Sequence, residues 1–344
     1  VSTPDSAADL ILRCRVRPAE AGRSLLEFLS ARFRYLDETA WREEIGSGRV
    51  LIEGRRSEPG TILRAGTVVT TKRAHREPPV PTDFAIVDER DGVLIVDKPA
   101  GLPFHSDGTF IRNTLVALLR RTLSSDTSVA KLHPLLRLDR ETSGLCAFAR
   151  DPATLRTLEA LRARDLVKKD YLALVHGRIE TEVLELEEWI GPARESAVSL
   201  RRAALPPHSP DAQPAHTSVR VLARADAVSL VACRLHTGRT HQIRAHLEGI
   251  GHPLVGDKLY GRSDAEFLEW IARSKAAGAS AEPRGTGAPR QMLHATRLEF
   301  RDEAGGVGSC WQSAPPADFV EAMRAHGLSM AAIAAIAGDD SPQA

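Results

Sequence analysis

The chain has 344 residues, 42% hydrophobic and 26% charged, with a formal net charge of +1 at pH 7. That length suits about two domains, and no apolar run approaches the roughly 18 residues of a membrane span, so a membrane protein is excluded and a cytoplasmic one is expected. The four cysteines, Cys14, Cys146, Cys233 and Cys310, are widely spaced beside apolar neighbours, which excludes a disulfide framework and a cysteine zinc site.

After a leader over residues 1–12, expected to be disordered, Leu25, Leu26, Phe28, Leu29 and Phe33 recur at helical spacing within Arg23 to Tyr35. A second short helix begins at Thr39, carries Trp41 and Ile45, and stops at Gly46 and Gly48. Val50 to Gly54 reads as a strand entering a basic turn at Arg55 and Arg56, and Thr67 to Thr70 as the returning strand. Residues 13–74 thus form a small module whose Arg42, Arg49 and Arg55 either meet phosphates or make an ordinary solvated basic face. A linker rich in proline and charge covers 75–83. The larger domain, 84–325, opens with strands at Ile86-Val87 and Val93 to Val96. Lys98 to Pro103 must be a loop, because two prolines deny a ladder its donors. A helix over Asn113 to Leu123, an apolar strand over Leu145 to Ala149, a helix over Pro152 to Arg164 and a strand over Tyr171 to Val175 follow. Residues 203–216, with four prolines, and 274–290, rich in Gly, Ala and Ser, read as surface insertions. Val228 to Leu235 is a strand running into Gly238. Thr240 then caps a helix that buries Ile243, Leu247 and Ile250. A last helix follows Ala317, and residues 326–344 form a flexible tail.

Positive charge is local: residues 131–178 hold 10 Lys and Arg against 6 Asp and Glu, and residues 234–262 hold 5 against 2. Each region contains one dense polar stretch, Arg137-Leu138-Asp139-Arg140-Glu141-Thr142-Ser143-Gly144 and Leu235-His236-Thr237-Gly238-Arg239-Thr240-His241-Gln242-Ile243-Arg244. If residues 137–139 are extended, Arg137 and Asp139 share one side while Leu138 faces the core. A carboxylate at the lip of a sheet among arginines stays ionised and serves as nucleophile or base; the plainer alternative is a turn aspartate pairing surface arginines. Gly238 permits a tight strand-to-helix turn, and Arg244, one turn beyond Thr240, leans back toward the helix N-terminus, within reach of a carboxylate or a phosphate. His236, His241 and His246 do not make a metal site, since His241 and His246 fall on different faces at about 3.6 residues per turn. No phosphate-loop or dinucleotide fingerprint is present, and no cofactor is expected.

These stretches, with Val96-Asp97-Lys98-Pro99-Ala100-Gly101-Leu102-Pro103, Val167 to Val175, Gly251 to Gly261 and Leu293-His294-Ala295, resemble the RluA-type pseudouridine synthases in order from about Phe84 to Phe300. The N-terminal module is similar to a small RNA-binding module of a ribosomal protein. Leu136 departs from the pattern, since the family more often has His there.

The resemblance implies an α+β fold with a catalytic domain on a mixed, largely antiparallel sheet flanked by helices. It implies isomerisation of uridine in structured RNA: the uracil is cut from its ribose, turned, and rejoined through ring carbon 5. Asp139 matches the family's catalytic aspartate, which attacks the sugar, attacks the uracil ring, or helps form an unsaturated sugar. Tyr171 matches the active-site tyrosine; otherwise it would read as a core tyrosine. Arg244 matches the basic partner of the aspartate, with Arg239 as understudy. Arg137 resembles the residue that fills the space of a flipped base, and Arg140, His241 and Gln242 are expected RNA or supporting contacts. Large-subunit ribosomal RNA is the first expectation for the substrate and transfer RNA the second, acted on by a monomer. A catalytically silent RNA-binding or ribosome-assembly protein is the rival of another class.

Overall fold

The computed structural model describes residues 10–73, 77–107, 109–123, 132–276, 287–302, 306–329 and 331. The chain divides between Pro79 and Val80 into two compact units.

The first unit contains β1 (Leu10–Arg15), α1 (Leu25–Arg32), α2 (Glu38–Gly46), β2 (Val50–Ile52), β3 (Arg55–Arg56) and β4 (Val68–Arg73), with sheet order β1-β4-β2-β3. Ser24 starts α1 through a capping box, its hydroxyl accepting from Glu27 N while Glu27 accepts from Ser24 N. Asp37, two residues before Thr39, caps α2. The apolar face read from spacing is buried: Leu25, Phe28, Leu29, Trp41, Ile45 and Val69 form one core. β1 begins at Leu10, inside the stretch expected to be a disordered leader; its pairing with β4 orders Leu10 to Leu12. The rest of that leader lies outside the described residues.

The second unit is α+β. It runs β5 (Ala85–Arg90), β6 (Val93–Lys98), α3 (Leu115–Thr122), β7 (His133–Leu136), β8 (Ser143–Ala149), α4 (Pro152–Ala163), β9 (Val167–His176), β10 (Val183–Leu186), β11 (Trp189–Pro192) and β12 (Arg202–Leu205). It continues β13 (Thr217–Arg224), β14 (Val228–Leu235), α5 (Gln242–Gly249), α6 (Asp264–Ala276), β15 (Leu293–Arg301), β16 (Val307–Gln312) and α7 (Ala317–Ala325). The main sheet has the order β10-β13-β14-β9-β15-β8-β6-β5, with β16 on β15 and β7 on β8. Every pairing is antiparallel except β15 with β8. From Leu145 to Ala149 β8 is apolar because both its faces are covered: Cys146 and Phe148 join the core under α3 and α5, Leu145 and Ala147 the core under α4.

Three expectations need correction. Residues 203–216 are not a plain surface insertion: β12 pairs with β11, Ala215 is buried, and Gln213 bridges to Ile190. Of residues 274–290, the first three end α6 and Arg290 is buried, bonded to Asp318; residues 277–286 lie outside the described residues. The segment read as a tail includes Leu328, which packs with Phe319 and Met323 in a core cluster.

At the parallel crossing of β8 and β15, Gly144 has φ +105°, and a Cβ there would stand 2.2 Å from the Ala295 carbonyl oxygen. Gly144→Ala adds a backbone clash to a strained dihedral. We expect it to lower unfolding free energy by about 3 kcal/mol, read from the urea midpoint; an unchanged midpoint would refute the close approach.

Candidate active site

The loop between β7 and β8 carries the first polar stretch. Its alternation is as expected: Arg137 is exposed, Leu138 is buried, and Asp139 turns into a cleft with its side chain 31% exposed. Two anchors hold this loop. The buried Lys98 amine donates to the carbonyls of Pro99, Leu102 and Arg140 at 2.9–3.0 Å, tying the turn after β6 to the aspartate loop. From the other side, Arg290 donates to Glu141 O, Gln291 to Thr142 Oγ1, and His294 meets Ser143 Oγ. Burial pushes the Lys98 ammonium down to about 7, against the pull of Cys146 and Asp139.

The second stretch comes from the end of β14 and the start of α5. Its turn is braced by Gln242, whose amide oxygen accepts from Thr237 Oγ1 and Arg239 N and whose amide nitrogen donates to His216 O and Thr217 Oγ1. Gln242 is 2% exposed and lines the cleft, and its four hydrogen bonds give it the supporting role of the two expected for it, RNA or supporting contact. The residue that precedes α5 is His241, in a left-handed conformation (φ 57°), and not Thr240.

Arg244, buried in α5, joins two carboxylates. Its Nε and Nη2 donate to Asp257 Oδ2 and Oδ1 at 2.7 and 2.9 Å, and its Nη1 donates to Asp139 Oδ2 at 2.8 Å. Asp257 is fixed in turn by the amides of Leu259 and Tyr260. The guanidinium also stacks 4.7 Å from the Tyr260 ring centroid. Burial favours the neutral form of Asp139, but Arg244, His241 and the hydrogen bonds from Arg244 and Gln291 outweigh it and hold the carboxyl below its usual range. It is ionised at neutral pH.

His241 lies beside this pair, Nε2 3.8 Å from Asp139 Oδ2 and Nδ1 3.1 Å from the Tyr260 hydroxyl. Burial, then Arg244, pushes it down to about 4, so the ring is neutral. Since Arg202 N donates to the Tyr260 oxygen, that hydroxyl is free to donate to Nδ1, which leaves the proton on Nε2 facing Asp139.

The cleft has a volume of about 350 Å³, at the small end of the ~300–1,000 Å³ of ligand sites. Asp139, Tyr171, Arg244, Arg137, Arg239 and His241 line it together. Tyr171 comes from the middle of β9, 7% exposed, its hydroxyl pushed up by burial and by Asp139 and therefore protonated. Arg239 also donates to Pro214 O. Arg140 is not on the cleft wall; its guanidinium sits over the Phe110 ring at 5.8 Å. In the first unit Arg42 pairs with Glu38 and Arg49 with Glu44, while Arg55 is exposed. Exposed pairs of this kind contribute at most about 1 kcal/mol, so a phosphate can compete for such arginines.

Sequence reasoning assigned no role to Asp257, Tyr260, Gln291, Lys98 or Lys169. The only signal for Lys169 was its two-residue spacing from Tyr171, which puts both on one strand face. Among the described residues one group has metal-ligand chemistry: Glu185, His216 and His236, with ligand atoms within 4.8 Å. The two rings stack 13° from parallel at 4.1 Å, and they already meet Glu185 and Ser218 through hydrogen bonds. His246 is buried elsewhere against Thr217 and Glu188.

The model of the RNA pseudouridylate synthase family matches residues 92–249. A ribosomal large subunit pseudouridine synthase D of Yersinia pestis is 31% identical over 334 residues, 93% of this chain and 95% of that one. A mitochondrial tRNA pseudouridine(32) synthase of Saccharomyces cerevisiae is 31% identical over 70% of this chain and 51% of its own length. A solved structure of human RNA pseudouridylate synthase domain containing 4 superposes with a TM-score of 0.56 at 24% identity, covering 72% of this chain and 94% of that one, a likeness of fold.

Proposed function

Because the chain belongs to the RNA pseudouridylate synthase family and is an isomerase acting on uridine in RNA, we propose that its substrate is large-subunit ribosomal RNA and that Asp139 carries the chemistry. The observation that bears most on the chemistry is the 2.8 Å contact between Asp139 and Arg244 on the wall of a cleft shared with Tyr171. A base cannot be reached inside a stack, so the target nucleotide is extruded into this cleft at a cost of a few kcal/mol. Arg137, exposed at the lip, takes the vacated place, where a planar guanidinium stacks and also touches phosphate.

In the cleft the N1 glycosidic bond breaks and a carbon–carbon bond forms from ring carbon 5 to the same sugar carbon. The proton lost from carbon 5 is balanced by the one gained at N1, with no net redox change. An ionised Asp139 is what each route needs, whether it attacks the sugar, attacks the ring, or stabilises the sugar as the base leaves. The protonated Tyr171 hydroxyl helps move the carbon 5 proton while its ring packs against uracil. Neutral His241 steadies the carboxylate without adding a charge.

The ribosomal reading draws on the Yersinia pestis relative, similar over nearly its whole length, and on the N-terminal unit, which we read as an RNA-binding module presenting Arg42, Arg49 and Arg55. Transfer RNA is the second reading, favoured by the yeast relative. We place the enzyme in the cytoplasm, acting as a single chain; Cys146 and Cys233 are buried free thiols, although Cys310 is exposed. Incubation with unmodified large-subunit rRNA and tRNA transcripts, followed by pseudouridine mapping, should give modification in the rRNA. Modification confined to tRNA would overturn the ribosomal reading.

A further inference from the structure

The cleft holds a buried cation that nothing above employs. Lys169 is 6% exposed and leaves the same face of β9 as Tyr171. Its ammonium lies at the turn of the second polar stretch: a Cβ built on Gly238 would stand 3.7 Å from Nζ. Among the described residues it has no ion pair or side-chain hydrogen bond. Asp165, the one carboxylate acting on it, is bonded to Lys168 and His236. Arg162 from α4 and Arg239 from the turn before α5 line the cleft with it. Asp139 is the single carboxylate of that lining, and Arg244 already neutralises it.

An ammonium largely shielded from water, at the floor of a cleft with two guanidiniums on its lining, is unfavourable until an anion arrives. A uracil carbonyl would need one donor; several cations converging on one place suit the anionic, non-bridging oxygens of a backbone phosphodiester. We infer that Lys169 binds a backbone phosphate of the substrate RNA next to the target uridine, fixing the extruded nucleotide over Asp139. The inference rests on the RNA activity stated above and adds the anchor for its substrate.

Burial, then Arg162, pushes the Lys169 ammonium down to about 8, Asp165 opposing. A phosphate favours the charged form, so RNA affinity is full below that range and falls as the pH rises through it. Arginine at the same position stays charged throughout.

The test uses the full chain with unmodified large-subunit rRNA and tRNA transcripts, measuring affinity against salt and pH alongside steady-state turnover. Lys169→Gln should weaken binding by about ten-fold, lower the slope of log affinity against log salt by about 0.7–0.9, and raise KM far more than it lowers kcat. Lys169→Arg should keep the slope and remove the alkaline fall. A folded Lys169→Gln protein with the wild-type slope would overturn the proposal, as would a loss of affinity with no change of slope, which would put a neutral uracil edge against Lys169. If Lys169→Gln does not fold, wild-type affinity that stays flat from pH 7 to about 9.5 would overturn it equally. A wild-type chain that bound neither transcript at low salt would remove the RNA reading and this anchor together, whereas wild-type turnover with an unaltered salt slope in Lys169→Gln would remove the anchor alone.

Discussion

Asp139→Asn is expected to reduce turnover by roughly 10⁴-fold or more, the scale seen when one member of a concerted catalytic set is removed, while RNA affinity stays within a few-fold. Asparagine keeps the size of the side chain, and its carbonyl oxygen can still accept from Arg244 Nη1, which is 2.8 Å away in the native protein. Fold and cleft should persist while the negative charge disappears. What is lost is the carboxylate that meets positive character at the sugar carbon as the base departs. Release of a label from uridine carbon 5 follows the reaction directly, because that hydrogen must leave when the new bond forms. Activity retained in Asp139→Asn would end the aspartate mechanism in all three of its forms.

Arg244→Lys should lower kcat by about 10²–10³-fold and unfolding free energy by about 3 kcal/mol. The guanidinium serves two carboxylates with three separate nitrogens, two toward Asp257 and one toward Asp139. One ammonium cannot span both. If lysine turns to the wholly buried Asp257, Asp139 loses the partner that holds its carboxyl low, so its pKa rises and the acid limb of kcat moves to higher pH. Asp257→Asn, in contact with Arg244 but with no atom assigned to substrate, should loosen the same guanidinium. The double variant should then cost less than the sum of the two singles by about 1–3 kcal/mol. Strict additivity, or an acid limb that does not move, would show that Arg244 does not act through Asp139.

Much of this architecture was legible because periodicity survives wherever one face is wet. α1 and α2 announced themselves through Leu25, Phe28, Trp41 and Ile45; β14, buried on both faces, was read instead from its apolar run into Gly238. Asp139 and Leu138 alternated as an extended segment should. β15 was not legible, because both its faces are buried and its polar members are satisfied internally. His294 bonds Ser143 and Ser313, and Thr296 also bonds Ser313, while Arg297 and Glu299 pair with each other. Asp257 was invisible for a related reason: a lone acid in a turn reveals its partner only when folding brings α5 across it. Gln242 was open to two readings because a polar residue at a helix start resembles a ligand contact as much as a support; its bonds here close a turn. Thr240 yielded the first helical turn to His241 because the chain bends through a left-handed residue there, which residue type alone does not specify.

The anchoring of the loop that bears Asp139 also has a temporal consequence. Its supports, Arg290, Gln291 and His294, are translated about 150 residues after it, as are the strand residues that flank Gly144 in the parallel crossing. A nascent polypeptide that has exposed only its first two-thirds therefore owns the reactive acid but not the scaffold that aims it. The site is complete only late in synthesis, once β15 lies between β8 and β9.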